Sequence, residues 1–103
     1  MIKIHSMVKK LPVEEKYRIK GQIERSSASV CDNIAEGYSS YYYNDKIKGM
    51  YTARKEAGET QNHIITLQSK KYINSELSNE LINEYEGLTK GINSYINYIR
   101  DKI

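Results

Sequence analysis

Phenylalanine and tryptophan are absent from the 103 residues, so ten tyrosines supply every aromatic side chain. A tyrosine can fill a core, but its hydroxyl requires water or a hydrogen-bond partner. We therefore expect many of the ten rings at the edge of the core or at interfaces. The length predicts one domain, over residues 1–103, with a single core.

Cysteine occurs once, at Cys31, which excludes an intramolecular disulfide and any metal site built from several cysteines. A lone cysteine fits a reducing compartment, and Cys31 itself is expected to be a small buried residue. The sequence also lacks an apolar run of 18 residues, and its first ten residues lack the features of a signal peptide. These absences predict a cytoplasmic protein without a membrane partner.

Motifs of catalysis and metal binding are missing as well. The sequence contains no HExxH motif, no glycine-rich phosphate loop and no nucleophile elbow. Glu56 and Glu59 share a helix face, yet no histidine accompanies them in the Glu-x-x-His pattern of di-iron bundles. We therefore expect a protein that is not an enzyme, with no catalytic residue, no metal and no cofactor.

Apolar residues recur at helical spacing along the chain, and no useful stretch alternates as a strand would. This pattern predicts an all-α fold, an up-down-up-down four-helix bundle with a shortened first helix that stops before Pro12. The expected helices lie near residues 2–10, 14–37, 41–70 and 75–102. The last has a heptad seam of Leu77, Leu81, Tyr85, Leu88, Ile92, Tyr95 and Ile99.

Single residues indicate where the helices begin and end. Gly37 suits the left-handed residue that commonly closes a helix. Ser39 or Ser40 is the expected N-cap of the third helix, and Asn74 that of the fourth. The stripe expected on the third helix mixes apolar and polar residues, which predicts a polar layer: Ile47, Met50, Tyr51, Arg54, Ala57, Gln61, Ile64 and Gln68.

Two ordered motifs give the chain a family resemblance from about Leu11 onward. They are NIAEG at residues 33–37 and ARKEAGET at residues 53–60. The sequence resembles the bacterial four helix bundle proteins, also known as the 23S rRNA intervening-sequence proteins. That resemblance implies a small bundle able to form ring-shaped homopentamers. Some relatives are accessory proteins of diversity-generating retroelements, so it also implies nucleic acid and a reverse transcriptase as candidate partners.

The polar residues of these motifs have a structural interpretation that we favour over ligand binding. A turn centred near Ser39 would place the second and third helices so that polar side chains meet across them. Ion pairs of Arg25 with Glu56 or Glu59 and of Glu24 with Arg54 are then expected. Asn33 and Glu36 would accept hydrogen bonds from free backbone N–H groups near residues 41–44.

Two functional hypotheses remain open on the residues alone. The net charge of +3 permits nucleic-acid binding without demanding it. Candidate phosphate contacts are Lys46, Lys48, Lys55, Lys70 and Lys71, with the tyrosines at 38 and 41–43 as stacking surfaces. The alternative is a protein–protein assembly module or scaffold that binds no nucleic acid.

The short first helix predicts an open groove and hence self-association. About ten residues precede Leu11, and a helix of that length covers about 15 Å of neighbours that are about 35 to 45 Å long. An apolar row left in water favours an interface. We therefore expect a homo-oligomer whose contact includes Val30, Ile34, Tyr38, Tyr41, Tyr42 and Tyr43.

Overall fold

The computed structural model describes residues 13–103 and contains three helices there. We name them α1, Val13–Ser39; α2, Tyr43–Ser69; and α3, Ser75–Arg100. The all-α prediction is confirmed for this part of the chain, which has no strand. The first helix predicted at residues 2–10 lies outside the described residues.

The three helices run antiparallel in sequence order, with α2 between the other two. As residue numbers rise along α1, those of its neighbours on α2 fall: the Thr60 hydroxyl donates to Ser26 Oγ over 2.8 Å, and Gly37 lies against Gly49. The same holds for α2 and α3, where Arg54 meets Asn93 and Gln61 meets Glu86. The backbones of α1 and α3 each pack along α2 and make little contact with one another.

The connection between α1 and α2 differs from the prediction. Helix α1 continues to Ser39, and no glycine in residues 13–103 has a positive φ, so Gly37 does not close the helix in a left-handed conformation. The N-cap of α2 is Tyr42, in extended conformation without a side-chain cap, rather than Ser39 or Ser40. The Ser40 hydroxyl instead donates backward to the Glu36 carbonyl over 2.8 Å.

Gly37 serves a different purpose, which is to let two helices touch. A Cβ added at Gly49 would lie 2.7 Å from Gly37 Cα, and one added at Gly37 would lie 3.0 Å from the Lys46 carbonyl oxygen. Carbon atoms in van der Waals contact are about 3.5 to 4.0 Å apart, so neither position has room for a side chain. The backbones of α1 and α2 therefore meet directly at these two glycines.

The start of α3 confirms its predicted cap. The Asn74 side chain accepts a hydrogen bond from the Leu77 backbone N–H over 2.8 Å, which satisfies one of the free donors of the first turn. Lys71 in the preceding turn has a φ of 64°, the left-handed region that most L-residues avoid. The turn thus reverses the chain through a lysine rather than through a glycine.

One half of the bundle buries side chains of all three helices together. We call it the closed half; it lies at the end where α1 begins and α2 passes into α3. Its buried apolar residues are Ile19, Ile23, Val30, Ala57, Ile64, Leu67, Ile73, Leu81 and Tyr85. Two hydroxyl side chains, Ser26 and Thr60, are also buried there, and their mutual hydrogen bond removes the cost of burying them unpaired.

The other half, the open half, has a smaller core built mainly by α2 and α3. Its buried members are Met50, Ala53, Ile92 and Ile96, and Ile34 is the residue of α1 that packs against them. The predicted α3 seam is confirmed at Leu81, Tyr85, Ile92 and Ile99. Ser78 and Ile96 are also buried there, whereas Leu77, Leu88 and Tyr95 are half-buried.

The buried row of α2 is less polar than its predicted stripe. It consists of Met50, Ala53, Ala57, Thr60, Ile64 and Leu67, so Thr60 is the polar residue that α2 buries. Arg54 is exposed and Gln61 is half-buried at the edge facing α3, which means that they border the core rather than form a layer inside it.

Candidate tyrosine and cation surface

The five lysines proposed for phosphate contacts do not form one surface. Lys46, Lys48 and Lys55 lie on the first half of α2, while Lys70 and Lys71 lie in the turn after it. Lys46 and Lys70 are separated by 24 positions, which corresponds to about 36 Å along a helix. Lys70 Nζ also lies 3.6 Å from Glu15 Oε2, where it forms an ion pair at the closed half.

Exposed tyrosines concentrate at the opposite end, around the connection between α1 and α2. Tyr38 and Tyr42 are each 67% exposed, Tyr41 is 87% exposed and Tyr43 is 43% exposed. The rings of Tyr41 and Tyr42 pack edge to face, with centroids 5.0 Å apart and an angle of 85° between their planes. Large aromatic surface therefore faces solvent at this end, which is unusual for an isolated chain.

The end of α3 adds two further rings, which sequence reasoning did not assign to this surface. Tyr95 lies 6.0 Å from Tyr38 and 6.4 Å from Tyr98, measured between ring centroids. Antiparallel packing of α3 on α2 brings residues 95–102 beside residues 38–43. The signal available in the sequence was therefore topological: the last turns of α3 had to return to the connection that precedes α2.

Two lysines lie over rings of this group. Lys46 Nζ is 5.7 Å from the Tyr38 ring centroid and donates to the Tyr38 carbonyl over 2.7 Å. Lys102 Nζ is 4.5 Å from the centroid of Tyr98. An ammonium group within about 6 Å of a ring is attracted by the ring quadrupole. We call this surface the tyrosine end: Tyr38, Tyr41, Tyr42, Tyr43, Tyr95, Tyr98, Lys46 and Lys102.

The protonation states at the tyrosine end follow from these contacts. Burial, together with the neighbouring Tyr38 and Tyr98, raises the pKa of Tyr95 above its ordinary value. A hydrogen bond with Tyr98, and the electrostatic interaction with that ring and with Tyr43, raise the pKa of Lys102. At neutral pH, Tyr95 is therefore uncharged and Lys102 carries its full positive charge.

A second cation and tyrosine group lies on the α2–α3 face of the open half. Arg54 and Arg100 lie 5.0 and 5.6 Å from the centroid of Tyr51, and Arg100 donates a hydrogen bond to the Tyr51 hydroxyl. Arg54 Nη1 also donates to Asn93 Oδ1 over 2.6 Å. Its guanidinium group is therefore directed toward α3, rather than toward Glu24 on α1.

The polar network predicted between α1 and α2 is wrong in its partners. Asn33 Nδ2 donates to the Ser29 carbonyl, 2.8 Å away on its own helix, and the Glu36 side chain is exposed. Among residues 13–103, no ion pair joins Arg25 to Glu56 or Glu59. The reason is the register between α1 and α2.

The pairing of α1 with α2 is centred near residue 43, about four residues later than the predicted centre at Ser39. Ser26 consequently faces Thr60, and Gly37 faces Gly49. Arg25 lies level with the residues around Gln61, beyond the reach of the expected pairs. Around the two glycines, a polar surface pocket of about 340 Å³ is lined by Asn33, Glu36, Ser40, Asp45, Lys48 and Thr52.

An apolar groove runs between α1 and α3 in the open half. It encloses about 310 Å³ and is lined by Ile34, Tyr38, Met50, Gly87, Leu88, Gly91, Ile92 and Tyr95. A Cβ added at Gly87 or Gly91 would meet no atom within 4 Å, so the groove has free space along α3. Of the predicted interface residues, Ile34 and Tyr38 border this groove, while Val30 is fully buried inside the chain.

Reactive and metal-binding groups do not gather at either surface. Cys31 is exposed on α1, so the expectation that it is a buried residue is wrong. Within the described part of the chain, no three residues among His, Cys, Asp and Glu are placed to hold a metal ion. No helix there combines the length and the apolar character needed to cross a bilayer.

The sequence matches the model of a known protein family. A family model described as 23S rRNA-intervening sequence protein matches residues 1–94. The chain belongs to this family. The resemblance carried by the NIAEG and ARKEAGET motifs is therefore confirmed. No curated protein and no solved structure matches the sequence.

In this 23S rRNA-intervening sequence protein, both motifs lie where α1 meets α2. Gly37, the last residue of the first motif, forms the backbone contact with Gly49. In the second motif, Ala53, Ala57 and Thr60 are fully buried. Small side chains at these positions allow two helices to approach closely. The motifs thus specify helix packing, while the tyrosine end and the groove lie largely outside them.

Proposed function

We propose that this protein is a non-enzymatic helical bundle that self-associates and binds nucleic acid, either RNA or DNA, at its tyrosine end. The observation that carries the proposal is the grouping of exposed tyrosine rings with Lys46 and Lys102 on one end of the molecule. Lysines neutralise phosphates with release of counterions, and aromatic rings contact bases. Lys48, exposed on the first turns of α2, adds positive charge near this end of the molecule.

The proposed architecture is a four-helix bundle with a shortened first helix at residues 2–10. The three described helices would occupy three of its corners, because the backbones of α1 and α3 both pack on α2 and scarcely meet.

We propose that a second copy of the chain covers the groove between α1 and α3. The groove is lined mainly by apolar side chains, and Gly87 and Gly91 leave room for a helix to approach α3 closely. Light scattering of the wild-type protein at micromolar concentration should detect particles larger than 12.0 kDa. A strictly monomeric particle would contradict the self-association part of the proposal.

A salt titration with two charge-matched triple variants tests nucleic-acid binding. One variant is Lys46→Gln/Lys48→Gln/Lys102→Gln at the tyrosine end. The other is Arg25→Gln/Lys70→Gln/Lys71→Gln, in the closed half and away from that end. Binding of a labelled oligonucleotide is followed by fluorescence anisotropy as salt rises. Loss of three phosphate contacts should reduce the slope of log K against log salt by about 2.

The second triple variant should retain nearly the wild-type slope, although its net charge is the same. Equal losses in the two variants would mean that only total charge matters, and would contradict a site at the tyrosine end. Absence of binding to any nucleic acid at low salt would favour the alternative function, a protein–protein assembly module that uses the groove.

A further inference from the structure

Four tyrosines of the tyrosine end leave much of their ring surface free for a ligand. Tyr41 and Tyr42 sit in the connection between α1 and α2, where they pack only edge to face. Tyr38 and Tyr98 are more than half exposed, and the half-buried Tyr95 ring lies between them. Among the described residues, lysines lie over Tyr38 and Tyr98 but not over Tyr41 and Tyr42.

The tyrosine end carries both positive and negative side chains. Attraction between lysines and phosphates alone therefore does not explain how a nucleic acid would bind there. Lys46 and Lys102 border the rings, but Asp45 in the first turn of α2 and Asp101 after α3 lie at the same end. Opposite charges this close partly cancel the field that a phosphate backbone would experience. A ligand of this surface must therefore obtain much of its affinity from contact with the rings.

We infer that the tyrosine end recognises unpaired bases, so that the nucleic acid bound is a single strand rather than a duplex. The inference rests on the proposed nucleic-acid binding and specifies its substrate. In a duplex, each base face is covered by the neighbouring base pair, and a protein side chain reaches only base edges and the backbone. A free ring such as that of Tyr41 can stack only on a base that is unpaired.

The same geometry makes binding tolerant of sequence and of sugar type. Every base has a π face, and stacking on tyrosine requires no particular hydrogen-bonding edge. Lys46 and Lys102, which lie beside the Tyr38 and Tyr98 rings, would supply contacts to a flexible backbone. Single-stranded RNA and single-stranded DNA are therefore expected to bind with similar affinity.

The test compares single strands and duplexes of about 20 nucleotides, a length that covers a typical single-strand site. Anisotropy titrations use oligo(dT), oligo(rU) and mixed-sequence DNA and RNA duplexes at one salt concentration. The single strands should bind about tenfold tighter or more. Because the protein has no tryptophan, its intrinsic fluorescence comes from tyrosine, and stacking should quench it. Equal affinity for duplex and single strand would overturn the inference.

Paired variants separate stacking from other roles of the two exposed rings. Tyr41→Leu/Tyr42→Leu removes the π faces and should weaken single-strand binding about tenfold. Tyr41→Phe/Tyr42→Phe keeps the rings without their hydroxyls and should bind as wild type. Ile65→Ala, which trims a half-exposed apolar side chain on the far part of α2, is the control and should also bind as wild type.

These outcomes distinguish this inference from the proposed function. Wild-type affinity in the leucine variant, or an equal loss in the leucine and phenylalanine variants, would overturn stacking while nucleic-acid binding stands. If neither single strands nor duplexes bind even at low salt, the proposed function fails and this inference fails with it. Circular dichroism of each variant checks that the helices are retained.

Discussion

The closed and open halves of this bundle bury apolar side chains to different extents, although the same three helices pass through both. In the closed half, Ile23, Ile64 and Leu81 come from three different helices and are almost completely buried. In the open half, α1 contributes Ile34 alone to the core, and a groove separates it from α3. The closed half therefore contributes most of the apolar burial that stabilises the bundle, and the open half provides most of the accessible apolar surface.

The aromatic residues follow the same division. The closed half encloses Tyr85, whose burial raises the pKa of its hydroxyl to about 12. At the tyrosine end, in contrast, rings such as Tyr41 face solvent. Exposure to solvent costs a tyrosine less than a phenylalanine because water hydrates its hydroxyl group. Its ring still offers a large contact area to a ligand. A chain with tyrosine as its only aromatic residue can thus expose a binding surface without the full penalty of exposing phenylalanine.

The largest expected difference between the halves comes from placing a charge on α1 at two positions. Ile23 is fully buried in the closed half, so Ile23→Asp should cost several kcal/mol and leave the protein unfolded or molten. Ile34 is half-buried beside the groove, so Ile34→Asp should leave a folded protein that is about 1 to 2 kcal/mol less stable.

Urea denaturation followed by circular dichroism measures both variants. From the sequence, Ile34 belongs to one apolar row with Ile23 and Val30, and Ile34→Asp would be expected to unfold the protein. The structure separates them because a side chain at position 34 can reach solvent. Unfolding of Ile34→Asp, or a wild-type transition for Ile23→Asp, would remove the distinction between the halves.

A second contrast concerns two glycines on α2. Gly49→Ala would place a Cβ 2.7 Å from Gly37 Cα, and because that atom is backbone, α1 and α2 must separate. Overpacking of this kind costs about 1 to 3 kcal/mol. Gly58→Ala, on the same helix, meets no atom within 4 Å and should stabilise the protein by up to about 1 kcal/mol.

Opposite changes in the urea midpoint are therefore expected for the same chemical substitution. A neutral Gly49→Ala would show that α1 moves away without cost, which means that the direct backbone contact contributes little to the open half. The contact matters there because the two helices bury few large side chains against each other at this end.

The helical class, the family and the cap at Asn74 could be predicted from the sequence because each depends on local spacing or on a short motif. Helix register could not. A centre of pairing about four residues later changes every pair across α1 and α2, as the Ser26 and Thr60 contact shows. Gly37 was also ambiguous, since glycine can close a helix or allow helices to touch, and only the partner at Gly49 decides between these roles.

The candidate site was predicted in part for a related reason. Tyr38 and Tyr41 were identified because they lie near one another in the sequence, whereas Tyr95 and Tyr98 join them only through the return of α3. In contrast, Lys70 was grouped with Lys46 by charge alone, although Lys46 lies in the first turn of α2 and Lys70 follows the last residue of that helix. Topology therefore decides which residues share a surface.

The smallest expected effect lies at the end of the closed half, where Glu15 ties α1 to the turn after α2. The Tyr72 hydroxyl donates to Glu15 Oε1 over 2.7 Å, and Arg18 and Lys70 lie beside Oε2 at 3.1 and 3.6 Å. The hydrogen bond from Tyr72, followed by the charges of Lys70 and Arg18, lowers the pKa of the Glu15 carboxyl below its ordinary value of 4.5.

Since this pKa is lower in the folded state, the unfolded chain binds more protons as the pH falls through this range. The stabilisation from Glu15 is present in full above about pH 4.5 and is lost as the pH falls through the folded-state pKa.

Tyr72→Phe removes the main cause of this pKa shift, so the melting temperature of the variant should fall less than that of the wild type between about pH 7 and pH 3. Tyr51→Phe, which removes a hydroxyl from the open half, should keep the wild-type difference. Equal acid sensitivity of Tyr72→Phe and the wild type would mean that Glu15 is bound as tightly in its protonated form, and that the link between α1 and the turn does not depend on charge.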